Sequence, residues 1–138
     1  MKPRPKIGWS LGWLSLFADV ASEMVYPIIP VFLNQVIKAP VRALGIVEGT
    51  AEAIVSFMKG WSGWHSDQTG KRVPYIQLGY GLTALAKPII GFANAMGLVL
   101  LGRSLDRFGK GLRTTSRDAL LADSVEKEYF GRAYGLHR

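Results

Sequence analysis

The chain has 138 residues, no cysteine, two histidines and a net charge of +7. It therefore has no disulfide framework, no thiolate site and too few soft ligands for a metal centre. Apolar residues make up 49% and are gathered in blocks, so the positive charge points to a lipid bilayer as partner and not to nucleic acid.

The mean hydropathy is only +0.16. For a chain of membrane spans that value requires charges inside the helices. The residues show no internal repeat, and neither a cleavable leader nor a second, soluble domain is expected from them. It also lacks a nucleophile–base set and a phosphate-binding loop, so neither an enzyme nor a cofactor is expected.

Residues 1–6 carry Lys2, Arg4 and Lys6 and read as a short basic tail. The first apolar segment, about 7–37, is long enough to cross ~30 Å of hydrocarbon. Its acids Asp19 and Glu23 stand four apart and share one helix face. Pro27 and Pro30 are expected to kink or loosen its far end. Lys38 to Arg42 forms a short outer turn.

The second helix, about 43–66, carries Glu48, Glu52 and Lys59 on one side, with Ser56 beside them. Gly63-Trp64-His65-Ser66-Asp67-Gln68-Thr69-Gly70-Lys71-Arg72 then reads as a polar, basic-ended turn. Gly70 permits a positive φ and a sharp reversal. Lys71 and Arg72 favour the cytoplasmic side.

The third helix, about 73–95, holds Lys87 beside Pro88. Glycines 79, 81, 91, 97 and 102 suit close helix contact in lipid. The turn at Asn94 to Gly97 is short, so the fourth helix is expected to pack antiparallel to the third.

The fourth helix, about 97–123, differs from the others. At ~100° per residue, Arg103, Asp106, Arg107, Lys110, Arg113 and Arg117 fall within an arc of roughly 120°. Leu101, Leu105, Phe108, Leu112 and Ala119 lie opposite. An unpaired base near mid-membrane costs about 2.5–3.5 kcal/mol on insertion scales. The basic face must therefore look into protein or water. Residues 124–132 read as a second cytoplasmic loop. Residues 133–138 read as the start of a fifth helix, so the chain is expected to be a truncated piece of something longer.

The pattern Gly63-x-x-x-Asp67-x-x-Gly70-Lys71-Arg72 resembles the motif joining the second and third helices of Major Facilitator Superfamily transporters. His65 stands where that motif usually has Leu. Arg103 with Gly109 and Gly111 resembles the superfamily's fourth-helix pattern, although Arg107 replaces a glycine often found there. Ala122-Asp123 followed by Arg132-Ala133 and Gly135 resembles the passage from its fourth helix into its fifth.

The resemblance covers the whole chain, which amounts to about the first third of a usual member. It implies an all-α fold of polytopic membrane helices: four spans of a six-helix half plus the start of a fifth. It implies alternating access for a small solute, coupled to protons, with the remaining helices as partners and an N-terminus inside a bacterial-type inner membrane. Gly63, Asp67, Gly70, Lys71, Arg72 and Asp123 would form a conformational latch, Asp123 pairing with Lys71 or Arg72. The plain reading is a loop that only sets topology.

Asp19, Glu23, Glu48, Glu52, Lys87, Arg103, Arg107 and Lys110 are the candidates for a coupling or substrate cavity. Arg103 matches the superfamily's coupling arginine, or is a structural base paired with Asp106 or an acid of the first helix. Asp19 and Glu23 either carry protons or neutralise Arg103, Arg107 or Arg113. Arg107, Lys110, Arg113 and Arg117 either hold an anionic solute or face water and headgroups. Lys87 either reaches the cavity or snorkels. His65 reads as an interfacial residue. A reading of another class is a basic amphipathic protein that binds anionic membrane surfaces or nucleic acid through residues 103–117.

Overall fold

In the computed structural model, the described residues are 5–124 with Gly131 and Gly135. The expected basic tail, the loop after Ser124 and the start of a fifth helix lie largely outside them. Five helices follow in order: α1 (Pro5–Val25), α2 (Ile28–Gln35), α3 (Val41–Thr69), α4 (Val73–Gly91) and α5 (Met96–Ser124). No strand occurs among the described residues.

The first expected helix is two helices. The chain leaves α1 at Val25 and turns at Tyr26 and Pro27 before α2 begins. Pro27 has no amide hydrogen for the carbonyl of Glu23, and its ring crowds that carbonyl. Pro30 sits in the first turn of α2, where a missing N–H leaves no bond unmade. Ser10–Gln35, spanning this break, is the one stretch among the described residues long and apolar enough to cross a membrane by length and composition alone. Helices α3 and α5 carry charges along their length, and α4, with Lys87 as its one charge, is diluted by glycine, proline, tyrosine and Gln77.

The turn between the second and third expected helices is much shorter than ten residues. Gly63 to Thr69 form the last two turns of α3, and only Gly70 to Arg72 connect it to α4. Gly70 closes α3 in the left-handed region at φ +63°. Its N–H donates to the Ser66 carbonyl at 3.0 Å, which satisfies an end carbonyl of the helix. Pro74 at the start of α4 has a φ already suited to a first turn. Space around Gly70 is open, so Gly70→Ala is expected to lose only backbone freedom. That costs about 1–2 kcal/mol and is read as a lowered unfolding temperature in detergent. Gly81→Ala, in open space with an ordinary φ, is the control expected to show no loss.

Helix α5 is the centre of the bundle. Helix α4 runs antiparallel to it, with Gly79 against Gly109 and Ala86 against Gly102. Helix α3 runs parallel to it, with Glu48 beside Arg103 and Met58 beside Gly111. Helix α1 runs antiparallel along the basic face, Asp19 at Arg113 and Glu23 at Lys110. Up-down alternation of α1, α3, α4 and α5 follows from these registers.

Glycines set the closest approaches. A Cβ on Gly109 would stand 2.5 Å from the Gly79 carbonyl oxygen, and one on Gly111 would stand 2.6 Å from the Met58 Cβ. Of the five glycines singled out by sequence, Gly79 and Gly102 make such contacts, whereas Gly81, Gly91 and Gly97 face open space. The apolar core lies at the end where α2 meets α3 and α5. There Ile29, Leu33, Val47, Ala93 and Val99 are buried together. Arg103 lies one helical turn further along α5.

Candidate functional site

From Arg103 onward, the buried side of α5 is ionic. Its bases recur every three or four residues, so they form one stripe. Helices α1 and α3 each bring an i, i+4 pair of carboxylates to that stripe. The result is a ladder of ion pairs along the bundle axis.

Arg103 donates from Nε to Glu48 Oε1 at 2.9 Å and from Nη2 to Glu48 Oε2 at 3.1 Å. This is a two-point, fork-to-fork pair. Its Nη1 lies 3.8 Å from Asp106 Oδ2, and its guanidinium carbon lies 5.2 Å from the Tyr26 ring centre. Arg107 Nη1 is 3.8 Å from Glu52 Oε1, and Lys110 Nζ is 3.7 Å from Glu23 Oε1. Arg113 Nη2 donates to Asp19 Oδ1 at 2.8 Å, while its guanidinium lies over the Tyr80 ring at 4.6 Å. Arg117 donates to Asp118 Oδ1 at 3.1 Å and to Ser15 Oγ at 2.8 Å. Ser15 also bonds the Tyr80 hydroxyl at 2.9 Å, so α1, α4 and α5 are tied together at this level.

Lys87 of α4 joins from the side. Its Nζ donates to Ser22 Oγ at 3.3 Å and lies 3.6 Å from Asp106 Oδ1. It turns inward to the ladder and not out to a membrane edge. The ladder thus brings together all eight of the proposed cavity residues: Asp19, Glu23, Glu48, Glu52, Lys87, Arg103, Arg107 and Lys110. One expected pairing differs. The acid against Arg103, besides Asp106, is Glu48 of α3 and not one from α1. The α1 acids sit lower, Glu23 at Lys110 and Asp19 at Arg113, in the order that an α1 antiparallel to α5 gives.

A second ionic cluster stands at the Gly70 turn. Arg72, the residue before α4, reaches three groups. It donates to Asp67 Oδ1 at 3.3 Å, to the Ala119 carbonyl at 2.5 Å and to Asp123 Oδ2 in a short ion pair. The end of α3, the start of α4 and the last turns of α5 are clasped by one guanidinium. Lys71 is exposed and has no ion pair among the described residues. Gly63 belongs to the same corner: a Cβ there would stand 2.8 Å from Thr115 Cγ2. His65 stacks on Trp61 at 5.1 Å and 11°, with its Nδ1 bonded to the Tyr75 hydroxyl.

Sequence reasoning missed Ser15, Ser22, Tyr26, Tyr80 and Asp118. Asp118 could have been found from its position beside Arg117. The hydroxyl-bearing residues carry no signal of their own, since each matters only through the base it meets across helices.

The sequence profile of the Major Facilitator Superfamily matches residues 11–138. A protein of Methanocaldococcus jannaschii named uncharacterized MFS-type transporter MJ1317 is 33% identical over 128 residues, covering 93% of this chain and 32% of that protein. Uncharacterized proteins of Mycobacterium bovis (Mb2288) and Mycobacterium tuberculosis (Rv2265) are each 28% identical over 126 residues, covering 91% of this chain and 31% of theirs. The chain spans about a third of the length of these curated relatives. No solved structure matches it. On the extent of the profile match, the chain belongs to the Major Facilitator Superfamily of integral membrane transporters.

Proposed function

We propose that the chain supplies the first four membrane spans of a secondary active transporter, together with the start of a fifth. Its partners are the further helices of a longer polypeptide, a reading supported by its match to only 32% of the length of the Methanocaldococcus jannaschii relative. The cargo is a small solute, moved by alternating access and coupled to protons, with the N-terminus on the cytoplasmic side of an inner-membrane-type bilayer. In this reading α1 with α2, then α3, α4 and α5, are the four spans.

The observation that carries the reading is an inside-out distribution of polarity. Arg103 and Arg113 are each 1% exposed, while Phe57 is 71% and Phe17 67% exposed. A protein in water does the reverse. In hydrocarbon, charges must turn toward one another and apolar side chains outward. The same burial speaks against a basic surface for nucleic acid or anionic lipid, since the bases of residues 103–117 are turned into the bundle.

Within this reading the Arg72 clasp is the latch that favours the outward-open state. Asp19 and Glu23 are the carboxylates through which proton binding acts on the ladder, and Arg103 stays charged throughout. Domains rock about the centre of such proteins, and the clasp lies where two of these helices end.

Two measurements test the proposal. Alkaline carbonate should leave the chain in the membrane pellet, and cysteines introduced at Lys38 and Lys71 should label from opposite sides. Release by carbonate, or labelling of both from one side, overturns it. For the latch, Arg72→Ala is expected to lower stability by no more than about 1 kcal/mol, because Asp67 and Asp123 are both well exposed. In the full-length polypeptide it should still shift the balance of states, read as increased labelling of a cysteine on the cytoplasmic side of the cavity. Unchanged labelling would reduce the clasp to a structural tie.

A further inference from the structure

The rungs of the ladder are not alike. The two at its ends are hydrogen-bonded: Arg103 to Glu48 at 2.9 Å and Arg113 to Asp19 at 2.8 Å. The two between them, Arg107 to Glu52 at 3.8 Å and Lys110 to Glu23 at 3.7 Å, lie beyond hydrogen-bond length. They fall at the middle of α5. Their carboxylates are the most exposed of the ladder, Glu52 at 59% and Glu23 at 63%. Their bases lie behind, with Arg107 only 8% exposed. Buried guanidinium nitrogens without a hydrogen-bond partner are Nε of Arg107 in the middle and Nε and Nη1 of Arg113 at one end; what sets the middle rungs apart is that their carboxylates too lie beyond hydrogen-bond length of the facing base.

From this geometry, and resting on the transporter reading above, we propose that the quartet Glu23, Glu52, Arg107 and Lys110 binds a small zwitterion, one cationic amine and one acidic group on the same molecule. The end rungs hold α1 and α3 to α5. The middle rungs keep acceptors and donors unspent. Arg107 and Lys110 are three residues apart on one helix, so their heads are neighbours. Glu23 and Glu52 flank them from two different helices.

An ammonium entering from the open side meets the exposed carboxylates. The acid group of the same molecule takes the free guanidinium donor of Arg107 and the ammonium of Lys110. The quartet is electrically balanced, and a zwitterion leaves it balanced. A solute of single sign would add an uncompensated charge against the buried head of Arg107, which is disfavoured. The bases alone would suit an anion, but each already faces a carboxylate.

The test uses the full-length polypeptide in detergent, with the unfolding temperature and competition as readouts. The probes are zwitterions (L-alanine, taurine, phosphoethanolamine), a cation (ethylamine), an anion (propionate) and a neutral amide (propionamide). At least one zwitterion should bind, with affinity at least about ten-fold above each singly charged or neutral probe. Glu52→Gln and Arg107→Gln should each weaken that binding by about ten-fold, while Lys59→Gln, an exposed base outside the ladder, should not.

Preferential binding of ethylamine, propionate or propionamide overturns the inference, as does binding of none. So does zwitterion binding that is indifferent to both substitutions. Should a variant not fold, the charge preference of the unsubstituted protein decides alone. The carbonate and labelling experiments judge the transporter reading separately, so a failed probe panel on a membrane-integral protein counts against the zwitterion and not against the spans.

Discussion

Arg103→Ala is expected to be among the most damaging single changes in the chain. The substitution removes two charge-assisted hydrogen bonds to Glu48 and the neighbouring positive charge from Asp106. Two carboxylates then remain in the bundle, with Lys87 as the base left beside Asp106. Breaking a buried pair from one side costs about 3–5 kcal/mol, a large part of a typical total stability of about 5–15 kcal/mol. Thermal unfolding in detergent should show a drop of that size, with faster proteolysis at the α2–α3 end. Glu48→Gln in the Arg103→Ala background should recover part of the loss, because one of the two stranded charges is gone. No recovery would mean that Arg103 acts by packing on Tyr26 and not by charge.

Gly109→Val is expected to separate α4 from α5. Any Cβ at this position meets the Gly79 carbonyl at 2.5 Å and the Thr83 Oγ1 at 2.8 Å. The first is backbone and cannot rotate away, so the helices themselves must move. Overpacking typically costs about 1–3 kcal/mol. Here the damage spreads, because the same crossing sets the register of the ladder. Gly79→Val should behave alike, its Cβ lying 2.6 Å from the Gly109 carbonyl. Gly91→Val, facing open space, should leave the unfolding temperature nearly unchanged. Equal effects at Gly109 and Gly91 would show that the close crossing is not what holds these helices.

Much of this arrangement can be read from residue spacing. The stripe Arg103, Arg107, Lys110, Arg113 and Arg117 follows from helical periodicity alone. So do the i, i+4 carboxylate pairs of α1 and α3. The need for these faces to meet follows from the cost of burying either one unpaired. The partners themselves do not follow. Glu23 and Glu48 look alike along the chain, and only the direction and register of α1 and α3 against α5 assign one to Lys110 and the other to Arg103. That register comes from contacts such as Gly109 on Gly79 and Gly111 on Met58, which join residues far apart in sequence.

The same holds at the clasp. Lys71 and Arg72 are equivalent bases to a reader of the sequence. Arg72 is chosen because it immediately precedes α4 and there faces Asp123. The polar stretch Gly63 to Arg72 leaves only three residues outside helices because Ser62 just before it and Ser66 within it do not stop a helix. Their hydroxyls bond to the Gly111 and Gly63 carbonyls, and a glycine with positive φ ends the helix only at position 70.

The ladder joins residues distant in the chain: Glu48 and Arg103 are 55 positions apart, and Asp19 and Arg113 are 94. At a ribosomal rate of about 5–20 residues per second, the acids emerge roughly 3–20 s before the bases that neutralise them. For that interval α1 and α3 are poor candidates for release into lipid. Biogenesis must hold the early helices in a polar shelter, and they leave it as a group once α5 has arrived. A premature stop codon before Arg103 should therefore yield helices that are retained at the insertion machinery or degraded, and not a stable half-built bundle.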